Sequence, residues 1–462
     1  MFSRAGGQPN ALLVLANIKP DRMAMLQERL DKIRGILEAN KEANEKIYFW
    51  NAKTVHFAAW MILPALLDKN KKPDGPARLA FETNYDGCCP AHLKDLVDNC
   101  KEILDDVYDC CEDYPPEGSR TPESVQKFLS KKSELAENSL SSYYVAFQGR
   151  TREDIQNAID VYKEAKGILA APTGNCTPPK SRTPNRKLKS YFQSLFKENQ
   201  ISANAQEKLV THFSRTPKTP PMLRPITQQT LNLRFFWTMV AALVLFPVVL
   251  VYALYWGALA LIARCVEERE QYGEKRLPPD PTERPPSFDR LDLGKQNHLC
   301  TYATVKPGCF RMWAMKSALH LGQFLFARIF VFAKLDQMTT VHFARWTLLG
   351  RQVLFYGSYD GDYSSYLGDF SDQAWGVNLV WSNTYGFPPT RFLTRGGGSD
   401  LEGFEAHALT HYAPAPVFYS AYREDTVPNI LRYLAVRDEL ALLVLKRNRE
   451  NEKKHQLEEE KK

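Results

Sequence analysis

Three short blocks of sequence occur twice in this chain of 462 residues, and both copies keep the same order. The pairs are 54–60 (TVHFAAW) with 340–346 (TVHFARW), 84–87 (NYDG) with 358–361 (SYDG), and 146–147 (AF) with 421–422 (AY). From Gly87 to Ala146 the separation is 59 residues, and from Gly361 to Ala421 it is 60. Self-similarity at a fixed spacing indicates a repeated structural unit. We therefore expect a duplicated domain, in which unshared residues were added to one copy.

Each copy carries the same series of predicted elements. In the first copy, strands are predicted at 11–18, 54–64, 78–85 and 143–148, with helices at 20–40, from Pro90 onward and at 152–169. In the second, strands are predicted at 300–306, 340–349, 352–359 and 417–422, with helices at 311–334, 363–377 and 427–445. The order β-α-β-β-α-β predicts an α+β fold, with an antiparallel sheet and helices on one face. We expect the two copies to face each other through their sheets, as a pseudo-dimer within one chain.

An apolar segment separates the two copies. Residues 235–263 contain no charged side chain and are flanked by Arg234 and Arg264. As one helix they would measure about 43 Å, against a hydrocarbon core of about 30 Å, so the segment predicts insertion into a membrane. Pro247 near its centre leaves two arrangements open, a kinked spanning helix or a hairpin. Because the copies should pack against each other, we favour the hairpin, which is a monotopic anchor.

The positive charge is unevenly placed along the chain. The formal net charge is +7, and residues 180–234 hold eleven Lys or Arg against two Glu. This predicts contact with anionic membrane lipids from the cytoplasmic side, and no nucleic-acid partner. No signal peptide is expected, since Met1 to Asn10 is short and polar. The predicted organisation is a first repeat (1–172), a basic Pro/Thr/Lys-rich linker (173–234), the membrane segment (235–263), a charged Pro-rich linker (264–298), a second repeat (299–445) and a charged tail (446–462).

The first candidate functional residues lie in the repeated strand block. His342 is shared with the first copy as His56, so a structural hydrogen bond and a ligand or proton-transfer role both stay open. Strand alternation predicts that His342 shares a face with Trp346. Arg345, which replaces Ala59, is then predicted on the opposite face, where it is equally consistent with a surface charge.

The segment 381–412 adds further candidates in the second copy. It carries Arg391, Arg395 and the glycines 396–398, followed by Ser399 and Glu402, a capping box that predicts a helix start. Such a loop could hold an anionic group, and a flexible loop with a good cap explains the same residues. On the following helix, His407 and His411 are four residues apart and share a face. This spacing suits a metal ion, a haem ligand or a polar surface.

A glycine-containing motif ends the third predicted strand of the second copy. It reads Gly357-Ser358-Tyr359-Asp360-Gly361, and the first copy has Asp86-Gly87 at the same place. Gly suits a turn there, and Asp suits the cap of the following helix. The doubled element order resembles the ferredoxin-like dimeric α+β barrel superfamily, and Gly-x-x-Asp-Gly is similar to a motif of the dye-decolourising peroxidases. The resemblance implies two ferredoxin-like repeats with the membrane segment between them.

The same resemblance implies a membrane-associated, haem-dependent oxidoreductase of the peroxidase type. Peroxide would be activated by Asp360 and an arginine, from Arg345, Arg391 or Arg395. The haem iron would be held by a histidine, from His342, His407 or His411. An alternative stays open, a non-catalytic, membrane-anchored module that binds a lipid-like ligand or a protein partner. Whether the chain is an enzyme, and its oligomeric state, are undecided at this point.

Overall fold

The computed structural model describes residues 9–38, 49, 51–67, 73–169, 233, 235–237, 239–240, 246–272, 294–328, 340–372 and 374–459. Most of the predicted linker 173–234 and the part of the second linker at 273–293 lie outside these residues. The strands are β1 (Pro9–Asn17), β2 (Val55–Leu63), β3 (Leu66–Leu67), β4 (Pro73–Asp74), β5 (Arg78–Asp86), β6 (Ser141–Val145), β7 (Gln296–Thr304), β8 (Val341–Leu349), β9 (Gln352–Asp360), β10 (Thr390–Arg391), β11 (Arg395–Gly396) and β12 (Val417–Ser420). The helices are α1 (Met23–Glu38), α2 (Cys89–Tyr108), α3 (Pro122–Glu137), α4 (Arg152–Leu169), α5 (Phe246–Tyr272), α6 (Cys309–Arg328), α7 (Tyr363–Asp372), α8 (Ala374–Trp381), α9 (Leu401–Thr410) and α10 (Val427–Glu459).

The fold is α+β, as predicted, and it contains two four-stranded antiparallel sheets with an exchanged strand in each. The first sheet has the order β1-β5-β2-β12, and the second has the order β6-β8-β9-β7. Thus β6, from the first copy, pairs with β8, and β12, from the second copy, pairs with β2. The expectation that each copy completes its own sheet is wrong. The alternation of side chains along a strand predicts which face is buried, but it does not predict which strand lies beside it.

The two sheets pack face to face. Their shared core contains Leu13, Ala59 and Met61 from the first sheet with Tyr302 and Leu354 from the second. The outer face of the first sheet is covered by α1, α2 and α3, which contribute buried leucines to a separate core. Burial on both faces explains why β1 and β2 have nearly continuous apolar sequences.

Helix α5 (Phe246–Tyr272) carries residues 246–263 of the predicted membrane segment and continues beyond it. The helix ends at Tyr272, so Arg264 to Tyr272 are helical and do not belong to a linker. Within the described residues, Leu250–Glu270 is the helix that is long and apolar enough to cross a membrane. Pro247 is the second residue of α5, and residues 241–245, where a hairpin would turn, lie outside the described part.

The chain divides into two compact units, Met1–Arg152 with Gln229–Val427, and Glu153–Gln228 with Pro428–Lys462. In the second unit, the ring of Tyr162 lies 4.4 Å from that of Tyr433, and the guanidinium of Arg437 lies 3.0 Å from the carboxylate of Asp154. The predicted tail from residue 446 continues α10 as far as Glu459.

Candidate functional site: two histidine–aspartate pairs

A buried histidine in the first sheet occupies a β-bulge. The pairing of β2 with β5 shifts register between Val55 and Phe57, which leaves His56 as the extra residue. Its Nε2 donates to Oδ1 of Asp86 at 2.9 Å. The other carboxylate oxygen of Asp86 accepts the backbone N–H of Arg152, the first residue of α4, at 2.6 Å.

The second sheet repeats this arrangement. Here the register of β8 against β9 shifts between Val341 and Phe343, and His342 is the extra residue. His342 Nε2 donates to Oδ1 of Asp360 at 2.7 Å, and Oδ2 of Asp360 accepts the N–H of Val427, the first residue of α10, at 2.6 Å. Both oxygens of each carboxylate are therefore used in the same way in both copies.

These contacts correct the predicted cap. Gly87 (φ 84°) and Gly361 (φ 85°) do form the predicted turns. However, Asp86 and Asp360 cap the helices that follow the exchanged strands, and not the helices next in sequence. Each aspartate thereby fixes a distant helix start to a strand end, which is a structural role.

The two histidines differ at their second ring nitrogen. The hydroxyl of Tyr422, just after β12, donates to Nδ1 of His56, and the two rings are 5.9 Å apart at 65°. Beside His342 the equivalent residue is Phe147, which follows the exchanged strand β6 of the first copy, and its ring lies 5.7 Å from that of His342 at 62°. Nδ1 of His342 has no hydrogen-bond partner among the described residues. The ring geometry is conserved between the copies, but the hydroxyl group is absent from one of them.

This difference gives a direct test of the pseudo-symmetry. Phe147→Tyr should raise the free energy of unfolding by about 1 kcal/mol, because the added hydroxyl can donate to a buried lone pair of His342. Tyr422→Phe should lower it by about 1–3 kcal/mol, because it removes the same bond from His56. Urea unfolding of both variants beside the wild type measures the two changes. Destabilisation by Phe147→Tyr would show that the second site has no room for the hydroxyl.

The bulge also changes the face of Arg345. Strand alternation predicted this side chain opposite His342, with a surface charge as one alternative. Instead, Arg345 is buried between the sheets, and its Nη1 lies 3.3 Å from both carboxylate oxygens of Glu82 on β5. Burial raises the pKa of Glu82 to about 7, although Arg345 opposes the shift. The guanidinium is therefore committed to a buried ion pair.

The two other candidate arginines lie on a separate hairpin. Arg391 and Arg395 are opposite each other in β10–β11, and both are exposed. The following helix α9 begins at Leu401 with Asp400 as its cap, which accepts from the N–H of Gly403 at 3.1 Å. The predicted capping box at Ser399 is thus wrong by one residue, and Ser399 Oγ donates to the carbonyl of Gly396.

His407 lies on α9, as predicted, but His411 is the residue just after the end of that helix; both side chains are buried. Their ring centroids are 4.5 Å apart, and Nδ1 of His411 lies 2.8 Å from the carbonyl oxygen of His407. Burial lowers the pKa of His407 well below its ordinary value, and neighbouring His411 adds to the shift. Among the described residues, no group of three or more His, Cys, Asp or Glu could hold a metal ion.

Two of the three candidate haem ligands, His342 and His407, do not fit a haem. His342 lies between Phe57 and Phe147, with ring distances of 5.2 Å and 5.7 Å, and its Nε2 already donates to Asp360. His407 lines a cavity of about 20 Å³. Sites for small molecules and cofactors usually measure about 300–1,000 Å³. The charged residues assigned to a peroxidase centre are thus distributed among a buried ion pair (Arg345), one helix cap (Asp360) and an exposed hairpin (Arg391 and Arg395).

Comparisons with protein families, with curated proteins and with solved structures give no match for this chain.

Proposed function

We propose that this protein is a non-catalytic, membrane-anchored module, with α5 as a rigid link between the membrane and the two sheets. The supporting observation is the division of α5 into an exposed apolar surface and a buried stripe. Val251 and Leu254, in the N-terminal part of α5, have 66% and 65% of their surface exposed. Apolar side chains of this size, exposed together on one helix, suit a lipid environment.

The buried stripe of α5 packs on the second copy. Leu259, Ala263 and Glu267 are spaced four residues apart and are all buried. Leu259 and Ala263 share a core with Ala314 and Ala318 of α6. Small residues allow the two helices to approach closely, so the C-terminal half of α5 belongs to the fold.

Charged groups complete this attachment. The guanidinium of buried Arg311 binds Glu270 through two nitrogens, at 2.9 Å and 2.6 Å, and Lys306 Nζ lies 3.4 Å from the same carboxylate. A two-point Arg–carboxylate contact fixes orientation as well as distance. The end of α5 is therefore held rigidly.

An aromatic group marks the level at which α5 meets the fold. The ring of Tyr255 lies 5.3 Å from that of Trp313 on α6, and Trp313 is exposed. Tyr and Trp are enriched where a membrane meets water. This favours insertion of the residues of α5 that precede Tyr255.

The exchanged strands limit the topology of the anchor. Because β6 and β12 each belong to the other copy's sheet, both copies must lie on the same side of a membrane. Residues 173–234 contain no second apolar run that could return the chain across it. We therefore infer a monotopic anchor that enters and leaves through one face of the bilayer.

Vesicle flotation tests the anchor. The double variant Val251→Asp/Leu254→Asp should reduce partition of the full chain into anionic vesicles at least about 100-fold, because each buried carboxylate costs about 2.5–3.5 kcal/mol. Leu401→Asp is the matched control, since it charges an exposed leucine on α9 and should leave partition unchanged. Flotation of the double variant equal to that of the wild type would exclude α5 as the anchor.

Protease treatment of intact vesicles tests the topology. Both copies should be cleaved from the same side, and protection of one copy would establish a spanning helix. A Soret band on adding haem that His407→Ala removes would contradict the non-catalytic part of the proposal and favour the peroxidase alternative.

A further inference from the structure

The β10–β11 hairpin carries Arg391 and Arg395 directly opposite each other. Opposite residues of an antiparallel pair point to the same face, with Cβ atoms about 4.5–5.5 Å apart. Both side chains are exposed, and among the described residues neither guanidinium has a hydrogen-bond or ion-pair partner. Like charges placed opposite each other destabilise a strand pair. The two arginines therefore cost stability in the ligand-free protein.

The first copy has a shorter connection at the equivalent place. A Pro-Pro pair begins the connection in each copy, and a helix cap ends it, at Thr121 in the first copy and at Asp400 in the second. Residues 117–120 lie between these points in the first copy, and residues 390–399 lie between them in the second. The β10–β11 hairpin is therefore an addition to the second copy.

The arginine of the shorter connection is paired. Arg120 donates to the carboxylate of Asp109 and, at 2.9 Å, to the carbonyl oxygen of Pro115. Its side chain is only 16% exposed. The added hairpin instead presents two exposed arginines whose charge the described residues do not neutralise.

Buried groups fix the backbone of the hairpin from the side that faces the fold. Glu267 of α5 accepts three hydrogen bonds from residues 390–393. Asn378 of α8 donates to the carbonyl oxygens of Thr394 and Gly396 at 2.9 Å and 2.8 Å. The two arginine side chains are thus presented on an ordered backbone, and such preorganisation lowers the entropic cost of binding a ligand.

The glycines that follow the hairpin use their N–H groups within the loop. The N–H of Gly397 donates to the carbonyl oxygen of Pro389 at 2.9 Å, and the N–H of Gly398 donates to Oδ1 of Asn378 at 2.7 Å. A ligand at the hairpin therefore depends on the arginine side chains.

We propose that Arg391 and Arg395 together bind one phosphate monoester as its dianion. A phosphate monoester carries a charge of about −1.5 to −2 at pH 7, which two guanidinium groups match. A carboxylate would neutralise only one of them. The planar guanidinium donates two parallel N–H bonds to phosphate oxygens, and two such groups on one face can grip a single phosphate. Binding also removes the repulsion that the opposed arginines create.

The position of the hairpin along α5 favours a soluble phosphate monoester over a lipid headgroup. Tyr255 marks the membrane boundary in the proposed function, and Glu267, which holds the hairpin, lies twelve residues further along the helix. That length corresponds to about 18 Å. The polar layer of one leaflet is only about 5–8 Å thick. The phosphate site itself does not depend on insertion of α5, and only this choice of source rests on the proposed function.

Phosphorus NMR of glycerol 3-phosphate, a soluble phosphate monoester, tests the site with the full chain in micelles of an uncharged detergent. The phosphate signal should shift and broaden saturably with the wild type. Arg391→Gln and Arg395→Gln should each weaken binding at least about tenfold, because each removes a charge-assisted hydrogen-bond donor. The double variant should show no saturable change.

Arg351→Gln is the matched control. It removes the same charge from an exposed arginine in the turn between β8 and β9, and it should leave binding unchanged. Saturable binding that the double variant retains, or none with the wild type, would overturn the proposal.

The stability of the ligand-free protein separates a binding role from a structural one. Each single variant should unfold at the same urea concentration as the wild type or at a higher one, because it relieves the repulsion between like charges. Glycerol 3-phosphate should raise the urea midpoint of the wild type and not that of the double variant. Lower midpoints for both single variants without ligand would show that the arginines hold the hairpin, and would contradict the proposal.

Vesicle flotation distinguishes the two sources of phosphate. Phosphatidic acid presents a phosphate monoester, and phosphatidylglycerol vesicles of equal net charge present a diester. With a soluble ligand, the double variant should partition into both vesicles as the wild type does. A loss of partition confined to phosphatidic acid would keep the phosphate site and assign it to a lipid. Failure of the anchor would look different, since the wild type would float with neither vesicle and would still bind glycerol 3-phosphate.

Discussion

Glu267→Ala should lower the free energy of unfolding by about 3 kcal/mol, whereas the same change at Glu268 should cost about 0.5 kcal/mol or less. Glu267 is buried and accepts three hydrogen bonds, from Thr390 Oγ1 at 2.7 Å and from the N–H groups of Phe392 and Leu393 at 2.9 Å and 3.0 Å. Glu268 is half exposed and pairs with Arg264 in an i,i+4 contact.

The three hydrogen bonds to Glu267 stabilise the β10–β11 hairpin, which is strained. Phe392 (φ 57°) and Leu393 (φ 62°) both adopt the left-handed conformation, although neither is glycine. Each such residue costs roughly 1–3 kcal/mol and persists only when its surroundings fix it. Without Glu267, two buried or half-buried amides lose their acceptor and the hairpin can relax.

Urea unfolding of the full chain in detergent micelles measures both variants. Hydrogen exchange of the amides of Phe392 and Leu393 gives a local readout, and exchange should speed up in Glu267→Ala only. Equal destabilisation by the two variants, or unchanged exchange, would show that Glu267 does not hold the hairpin.

The sequence predicts the elements of this fold well because their signals are local. The strand predicted at 340–349 is β8 (Val341–Leu349), and the helix predicted at 152–169 is α4 (Arg152–Leu169). Alternation and helical spacing depend only on neighbours within a few residues. The helix α3 (Pro122–Glu137) was missed, although its buried residues Val125, Phe128 and Leu129 have helical spacing.

The partners of these elements are not local and could not be predicted. Nothing in the sequence of β6 predicts whether it pairs with β2, from its own copy, or with the equivalent strand β8 of the second copy. The bulges at His56 and His342 shift the strand alternation by one residue, and that shift reverses the predicted face of Arg345.

The polar contacts that matter most for the candidate sites were missed for a related reason. Glu82 lies in the predicted strand 78–85, and Glu267 lies in a stretch predicted as a linker, so neither belongs to a recognisable motif. Their partners are Arg345, 263 residues away, and the hairpin at Phe392, 125 residues away. Only Asp86 and Asp360 were identifiable, because they lie in sequence blocks that occur twice.

Arg345→Met should lower the free energy of unfolding by about 3–5 kcal/mol, because Glu82 would remain buried without its cation. The double variant Arg345→Met/Glu82→Leu removes both charges and should recover most of that loss. Urea unfolding at pH 8 compares the two with the wild type. A double variant that is no more stable than Arg345→Met would show that the arginine acts by packing, and not by pairing with Glu82.

The pH dependence of stability gives an independent test of the same pair. The folded pKa of Glu82, about 7, is above the ordinary value of 4.5, because burial outweighs the attraction of Arg345. Between these two pH values the folded protein holds a proton that the unfolded chain has released. The contribution of Glu82 to stability is therefore fully present below pH 4.5 and falls by up to about 1.4 kcal/mol per unit as the pH rises through 7. Unfolding at pH 5, 6, 7 and 8 should show this fall in the wild type and not in the double variant, since leucine cannot titrate. Parallel pH profiles would mean that Glu82 ionises in the folded protein at its ordinary pKa.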